Sequence, residues 1–436
     1  MAVPETKVFV QFDLEASSVA FFTLDDPVQG VLDGIYGLGG DVLEDVTQFV
    51  ASISIGRGKS RELDRFTAGQ ASVTFHNDNR WFDPFYVDSP YFEQFVPKRQ
   101  VVITTNGVRQ YTGYIDDIDL QYNLGNKSFA TITCTDAFSQ ISSSTLETFT
   151  NTVQKSGDRV NEILSRPEVS WPLADRNIDT GQQTLQADVV TDGTNALGYL
   201  QLVESSEPGS LFISKDGKVT FKDRSYQAPL TETIVFADDD TALGVAYNNI
   251  EVVYGSENLY NNITITRAGG TAQIVNDTAS QAIYGIQSLN EDGLLMETDA
   301  DALTVAQLYL DQYSTPELRF SSVGFTLHDK TQSIQDLLCG LEISDVVRVV
   351  FTPNGIGDPI SEYAIITGIS HNVGIDNHSI NFEFGSTVGL AFVLDSDIYG
   401  VLGGNLPLYD DIDTDYDSTV KYDGSPIEVE LYGLGF

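Results

Sequence analysis

Ser54-Ile55-Gly56-Arg57-Gly58-Lys59-Ser60-Arg61-Glu62-Leu63-Asp64-Arg65-Phe66-Thr67-Ala68-Gly69-Gln70-Ala71-Ser72-Val73-Thr74-Phe75-His76-Asn77 is the stretch on which the fold of this 436-residue chain turns. The runs Phe49 to Ile55 and Ala71 to Phe75 alternate small or polar residues with β-branched and aromatic ones, the two-residue period of half-buried strands. Between them, Leu63 and Phe66 are placed to pin a turn onto the β unit. Arg57, Lys59, Arg61 and Arg65 gather four of the chain's 23 basic residues within nine positions. Two meanings are open for these charges: local salt bridges, or a subunit interface that meets an acidic face of the next copy or of an adjacent ring.

The same patterning continues outward. Val8 to Phe12, Gln100 to Thr105, Ser128 to Cys134, Asn262 to Thr266 and Ser379 to Phe384 all read as strands. Asn106-Gly107 and Asp216-Gly217 each sit between two such runs, and each pair tolerates the positive φ of a two-residue hairpin turn. Helical periodicity is confined to Asp158 to Leu164, Asn195 to Ser205 and Asp299 to Tyr313; the last carries Leu303, Ala306, Leu310 and Tyr313 on one face, acids near its start and Pro316 beyond it. The chain therefore reads as mainly β with an α+β insert. Five stretches are expected: an N-terminal arm (1–45), a first β domain (46–149), an α/β insert (150–235), a second β domain with one helix (236–385) and an acidic extended tail (386–436).

With 63 acidic and 23 basic residues the formal charge is −40, and no Lys/Arg-rich run offers the stripe that nucleic-acid binding needs. Docking on an anionic membrane is disfavoured for the same reason. The two cysteines, Cys134 and Cys339, read as buried free thiols, and no stretch is apolar enough to span a membrane, so folding in the cytosol is expected.

Catalytic signatures do not emerge. His76, His328, His371 and His378 lack metal-pair spacing and read as surface or turn residues, the last two flanking a turn from Asn372 to Asn377. There is no CxxC, no GxSxG elbow and no phosphate-binding loop. Asp116-Asp117-Ile118-Asp119 offers carboxylates for an acid/base pair or a divalent metal, but at strand period Asp117 and Asp119 share one face and Asp116 points away, as on a solvated sheet. Asp411-Ile412-Asp413-Thr414-Asp415 begins like a calcium loop, yet Tyr416 replaces its turn glycine. Asp238-Asp239-Asp240 reads as a turn. No catalytic residue, metal or cofactor is assigned.

The quoted stretch, together with Arg80-Trp81-Phe82-Asp83-Pro84 and Ser89-Pro90-Tyr91, resembles the first domain of minor tail proteins of long-tailed bacteriophages, a family similar in fold to baseplate or tail-tip hubs. The likeness continues through Gly113-Tyr114-Ile115-Asp116-Asp117, Ser156-Gly157-Asp158-Arg159-Val160, Glu204 to Gly209, Leu211 to Arg224, Tyr260 to Thr264 and Thr367 to His371, spanning residues 46 to 385. The resemblance implies two hub-type β-barrel or sandwich domains in each chain. It also implies a homotrimer whose alternating domains form a pseudo-sixfold ring, adapting the hexameric tail tube to a threefold tip. Implied partners are the distal tail ring, fibre or tip proteins and the tape measure, in a virion tail assembled in the host cytoplasm. DNA would pass transiently through an acidic bore that repels its phosphates. Many such hubs carry an added peptidoglycan-cutting or receptor-binding domain; residues 386–436 read instead as an adaptor strand, so host lysis or adhesion is expected to belong to other proteins.

The two ends echo each other: Phe22 to Gly34, with Phe22, Leu24, Val31 and Leu32, resembles Phe392 to Gly404, with Phe392, Leu394, Val401 and Leu402. Either Gly-rich turn segments coincide, or both are docking peptides that add to sheet edges of neighbouring subunits. From Ser386 onward ten acids face Lys421 alone, which suits an extended segment lying on a neighbour. Two alternatives stay beside the hub: a hexameric distal ring or other minor tail protein of the same tip, and a carbohydrate-binding adhesion protein using Trp81, Trp171 and Tyr91.

Overall fold

In the computed structural model the described residues are 3–12, 42–59, 61–123, 127–227, 232–238 and 244–387. Phe22, Leu24, Val31, Leu32, Phe392, Leu394, Val401 and Leu402, and the acidic run from Asp411, lie outside them.

Seven strands build the first β unit: β1 (Thr6–Phe12), β2 (Val42–Asp45), β3 (Val50–Gly58), β4 (Thr67–His76), β5 (Gln100–Thr105), β6 (Val108–Asn123) and β7 (Lys127–Thr135). They pair antiparallel in the order β3-β4-β7-β6-β5-β1-β2. Alternation sets the core face: β7 buries Ser128, Ala130, Ile132 and Cys134 and leaves the residues between them partly exposed. Val10, Ile53, Val73, Phe75 and Ile103 meet them. The aromatic motif after β4 closes this core. Asn77 accepts a hydrogen bond from the Phe82 amide at 3.0 Å, and Phe82 stacks on Phe75 with ring centroids 4.5 Å apart. Tyr91 stacks on Phe12 at 4.6 Å, and Trp81 meets Phe49 edge-on at 5.2 Å. Truncating Phe82, fully buried, to alanine removes the keystone and costs about 3–5 kcal/mol. Val8 to Phe12, read as a strand within the N-terminal stretch, is a strand of the sheet, paired with β5.

Asn106 and Gly107 both have positive φ, 51° and 79°, and join β5 directly to β6. Asp216-Gly217 is different. Between β8 (Ser210–Ile213) and β9 (Val219–Lys222) the loop has five residues, closed by Ser214 and Lys218, and Gly217 takes φ 83° after a wider turn.

Helix α1 (Ala137–Ser142) follows β7, and the insert carries α2 (Ser156–Ser165) and α3 (Ala196–Ser206) beside β8 and β9. Side chains of Asp136 and Asn195 cap α1 and α3 by accepting the Phe138 and Gly198 amides. Beyond it run β10 (Ile234–Ala237), β11 (Asn249–Tyr254), β12 (Asn262–Arg267), β13 (Gln273–Asn276), α4 (Thr278–Tyr284), β14 (Ser288–Leu294), α5 (Asp299–Tyr313), β15 (Leu318–Thr326), α6 (Gln332–Gly340), β16 (Val346–Phe351), β17 (Ile360–Val373) and β18 (His378–Ser386). Helix α5 has the predicted bounds and a Thr298/Asp301 capping box, but it buries Ala302 and Val305 while Leu303 is exposed. Strands β12 to β14 pack on α5 around Ile263, Ile265, Met296 and Val305, a separate small core inside what the sequence presents as one β domain. The insert's Val160, Leu200 and Phe221 share a third core with Phe66 and with Phe236, Phe325 and Phe382 of the second β unit.

That second unit repeats the first. Its order is β11-β15-β18-β17-β16-β10, so β3, β4, β5, β6, β7 and β1 correspond to β11, β15, β16, β17, β18 and β10 in the same chain order. The registers superpose: Val73 faces Ile132 as Val323 faces Phe382, and Phe75 faces Ala130 as Phe325 faces Ile380. Ser72-Val73-Thr74-Phe75 thereby aligns with Ser322-Val323-Gly324-Phe325. Both long strands carry a bulge, at Asp116 in β6 and at Thr367 in β17. One pairing departs: β1 is antiparallel to β5, whereas β10 is parallel to β16. The two units are fused edge to edge, since β17 pairs with β3 from Gly368↔Gly58 to Val373↔Ile53; with the two-residue strand Val245–Ala246 beside β10 they make one fourteen-stranded sheet.

Candidate functional site

The basic segment leaves β3 at the junction of the two units. Arg57 stands opposite Ile369 on the inward face, so its side chain is only 2% exposed, and Nη1 donates to Glu342 Oε1 at 2.8 Å. Glu342 also accepts the Ile343 amide through Oε1 and the Lys215 amide through Oε2, each at 2.8 Å. Arg57 is therefore an internal brace, the local salt bridge of the two meanings open for this segment and not the interface residue: strand parity turns it inward. Lys59 also folds back. Its Nζ donates to the Glu62 carbonyl at 2.6 Å and lies 4.8 Å from the Phe66 ring, and burial pushes its pKa down. Arg61 and Arg65 are exposed; Arg61 is 3.3 Å from Glu257. Of the four charges, these two remain on the surface.

The sequence hides the role of Glu62 between them. Its Oε1 accepts from Gln312 Nε2 (3.2 Å), the Tyr313 hydroxyl (3.1 Å) and the Ser386 amide (3.1 Å). Oε2 accepts from Asn258 Nδ2 (3.1 Å) and the Ser386 hydroxyl (3.2 Å). One carboxylate on the β3–β4 loop thus ties the end of α5 to the last residue of β18. A cleft of about 100 Å³ opens beside it, lined by Lys59, Glu62, Arg65, Glu204, Tyr309 and Tyr313. Burial raises Glu204 to about 7, against the lowering effect of the Leu211 amide and Lys59. Among the described residues no three His, Cys, Asp or Glu side chains converge as a metal site.

The other predicted groups fall apart from this cleft. Asp116 is half-buried, and although burial acts to raise its pKa, hydrogen bonds from Lys98 Nζ at 2.5 Å and from the Thr135 hydroxyl hold it below the usual value. Asp117 and Asp119 are exposed on the same side of β6, as strand period requires. His371 and His378 are a correction: both are 1% exposed, with Nδ1 of the first 3.1 Å from Nε2 of the second. Val373 pairs with His378, so the turn shrinks to the residues between them and both rings point inward. Burial keeps His371 well below its ordinary pKa and lowers His378 to about 4. Cys134 and Cys339 are free and buried. Trp81 and Tyr91 pack on the first-unit core while Trp171 packs on the core shared by the insert, so they do not share a platform.

No family model matches the sequence, and no curated protein matches it. Among the solved structures similar to this chain are two tail proteins. The tail protein from Neisseria meningitidis MC58 superposes with a TM-score of 0.55 over 88% of this chain and 97% of its own, at 11% identity. The 43 kDa tail protein of prophage MuSo2 from Shewanella oneidensis does so with a TM-score of 0.55 over 87% and 98%, at 12% identity. The chain thus has the fold of phage tail proteins across nearly their whole length, as the motifs between residues 46 and 385 lead one to expect.

Proposed function

We propose that this chain is a structural, non-enzymatic virion protein of a phage tail tip, the hub that adapts a hexameric tail tube to a threefold tip around a DNA conduit. One observation carries the choice: a single chain holds two topologically equivalent β units side by side in one sheet. Three such chains present six units, the number a sixfold tube requires, while the chain itself repeats three times. A hexameric distal ring needs only one unit per chain, so the doubled unit favours the hub. Three copies of a −40 chain bring 120 excess negative charges to the ring, which suits a bore that DNA slides through.

Within the basic segment, Arg61 and Arg65 are the residues left to meet an acidic neighbour. Phe22 to Gly34 and Phe392 to Gly404 are proposed to dock on adjacent tail proteins, among them the distal ring, fibre or tip proteins and the tape measure. Native mass measurement of the purified chain tests this reading: a trimer supports it, a hexamer supports the ring alternative, and a stable monomer counts against both. Truncation after residue 390, which spares the Ser386 bonds to Glu62, should abolish incorporation into tails while leaving the fold intact.

A further inference from the structure

The internal junction has a counterpart edge in each β unit that, among the described residues, is left unpaired. Strand β17 is longer than its neighbour β16: β18 runs along one edge, while the other edge is shared, with β16 taking Ile360 to Ile365 and β3 taking Gly368 to Val373. Strand β6 is built the same way. Strand β7 runs along one edge and β5 takes the other from Val108 to Tyr114. Past the bulge at Asp116, among the described residues, nothing pairs with that second edge. The counterpart of β3 is β11, which pairs with β15 along one edge and, among the described residues, with nothing along the other.

Burial marks both edges as incomplete. At the internal junction Ile53 and Ile55 of β3 are 4% and 2% exposed, and Ile369 and His371 of β17 are 3% and 1%. Their register equivalents Ile250, Val252, Ile118 and Leu120 are only half-buried, and Tyr254, in the place of Arg57, is 69% exposed. Strand β11 has six residues, and its pairing with β15 shifts between Glu251 and Val252 by one residue on β15; its free edge, like that of β6, carries apolar residues on the core-facing side and is open to strand addition.

We propose that residues Ile118 to Tyr122 of one copy pair antiparallel with Ile250 to Tyr254 of a second copy, repeating the β17–β3 junction between chains. This rests on the hub reading for its copy number, but on the internal duplication for its geometry. Carrying the internal register across gives Ile118↔Tyr254, Leu120↔Val252 and Tyr122↔Ile250 on the core-facing side, all apolar or aromatic. On the outer side it gives Asp119↔Val253 and Gln121↔Glu251, so no acid stands directly opposite another despite the chain's charge. Because the two edges differ, the contact is head-to-tail and closes only as a ring.

The test is a cysteine pair at Gln121→Cys and Glu251→Cys, both exposed positions, in the full chain. Facing residues of antiparallel strands lie about 4.5–5.5 Å apart at Cα, within disulfide reach. The internal control is Ser54→Cys with Asn372→Cys, the equivalent pair, whose side chains already meet at 3.3 Å. Mild oxidation should give interchain-linked species for the first pair, intrachain linkage for the control, and neither for the single variants. A trimer by native mass in which the control closes but the 121–251 pair does not link overturns this junction and leaves the hub reading standing. A monomer without the link overturns it too, since a junction copying the internal one needs no other protein.

Discussion

Arg57 gives the sharpest test of whether the basic segment braces the chain internally. Its guanidinium is 2.8 Å from Glu342 with side-chain exposures of 2% and 21%. At an effective dielectric near 20, the attraction between unit charges at that distance is about 6 kcal/mol, most of it offset by taking both groups out of water. Removing one partner strands the other, a loss of about 3–5 kcal/mol for fully buried pairs; the partial exposure of Glu342 places Arg57→Met near the lower end. Glu342→Gln removes the counter-charge and keeps an acceptor for only one of the Lys215 and Ile343 amides, which bond different carboxylate oxygens, so its loss is at least comparable. In the double variant neither charge is stranded, so a coupling of about 2 kcal/mol is expected. Urea unfolding of all four proteins, followed by fluorescence and circular dichroism, measures the cycle. Additive losses, or an Arg57→Met protein within about 0.5 kcal/mol of the parent, refute the brace.

Three further outcomes follow from buried groups and close approaches. Glu204 is raised from 4.5 to about 7, so its contribution to stability is present in full below pH 4.5 and lost as pH rises through 7. Glu204→Gln should therefore gain about 3 kcal/mol relative to the parent between pH 4.5 and 8, measured as the difference between two unfolding-versus-pH curves. His378 has the opposite sign: lowered from 6.5 to about 4, it supports the fold above pH 6.5 and loses that support as pH falls through 4. His378→Gln should flatten this acid limb by up to about 3 kcal/mol, and an unchanged limb counts against the buried histidine pair. A Cβ at Gly157 would sit 1.8 Å from the Asp179 carbonyl oxygen, so Gly157→Ala should lower stability by at least about 2 kcal/mol by the same assay.

Strands were legible where two-residue alternation meets a one-sided core, as in β4 and β7. Helices were legible where periodicity runs for three turns or more, as in α5. The short helices α1, α4 and α6 were not, because six to nine residues carry too little periodicity and the side-chain caps of α1 and α4 become evident only once the chain is folded. Arg57 and the two inward histidines escaped for one reason: each stands near the end of a strand, and how far the strand's alternation continues is decided by pairing; β4 and, more than 300 residues away, β17 hold β3 as far as Gly58. Glu62 gave no local sign of gathering donors from residues 258, 312, 313 and 386. The alignment of Ser72-Val73-Thr74-Phe75 with Ser322-Val323-Gly324-Phe325 was present in the sequence, but four residues signify a repeat only when the strand pairings around them also match.

The most direct measurement is the symmetry of this protein's density in the assembled tail tip, by electron cryomicroscopy. Threefold density with six β units around a central channel, alternating between intrachain β17–β3 and interchain β6–β11 junctions, is the expected result. Six copies giving twelve units, or a single copy set off the axis, contradicts the assignment as a hub.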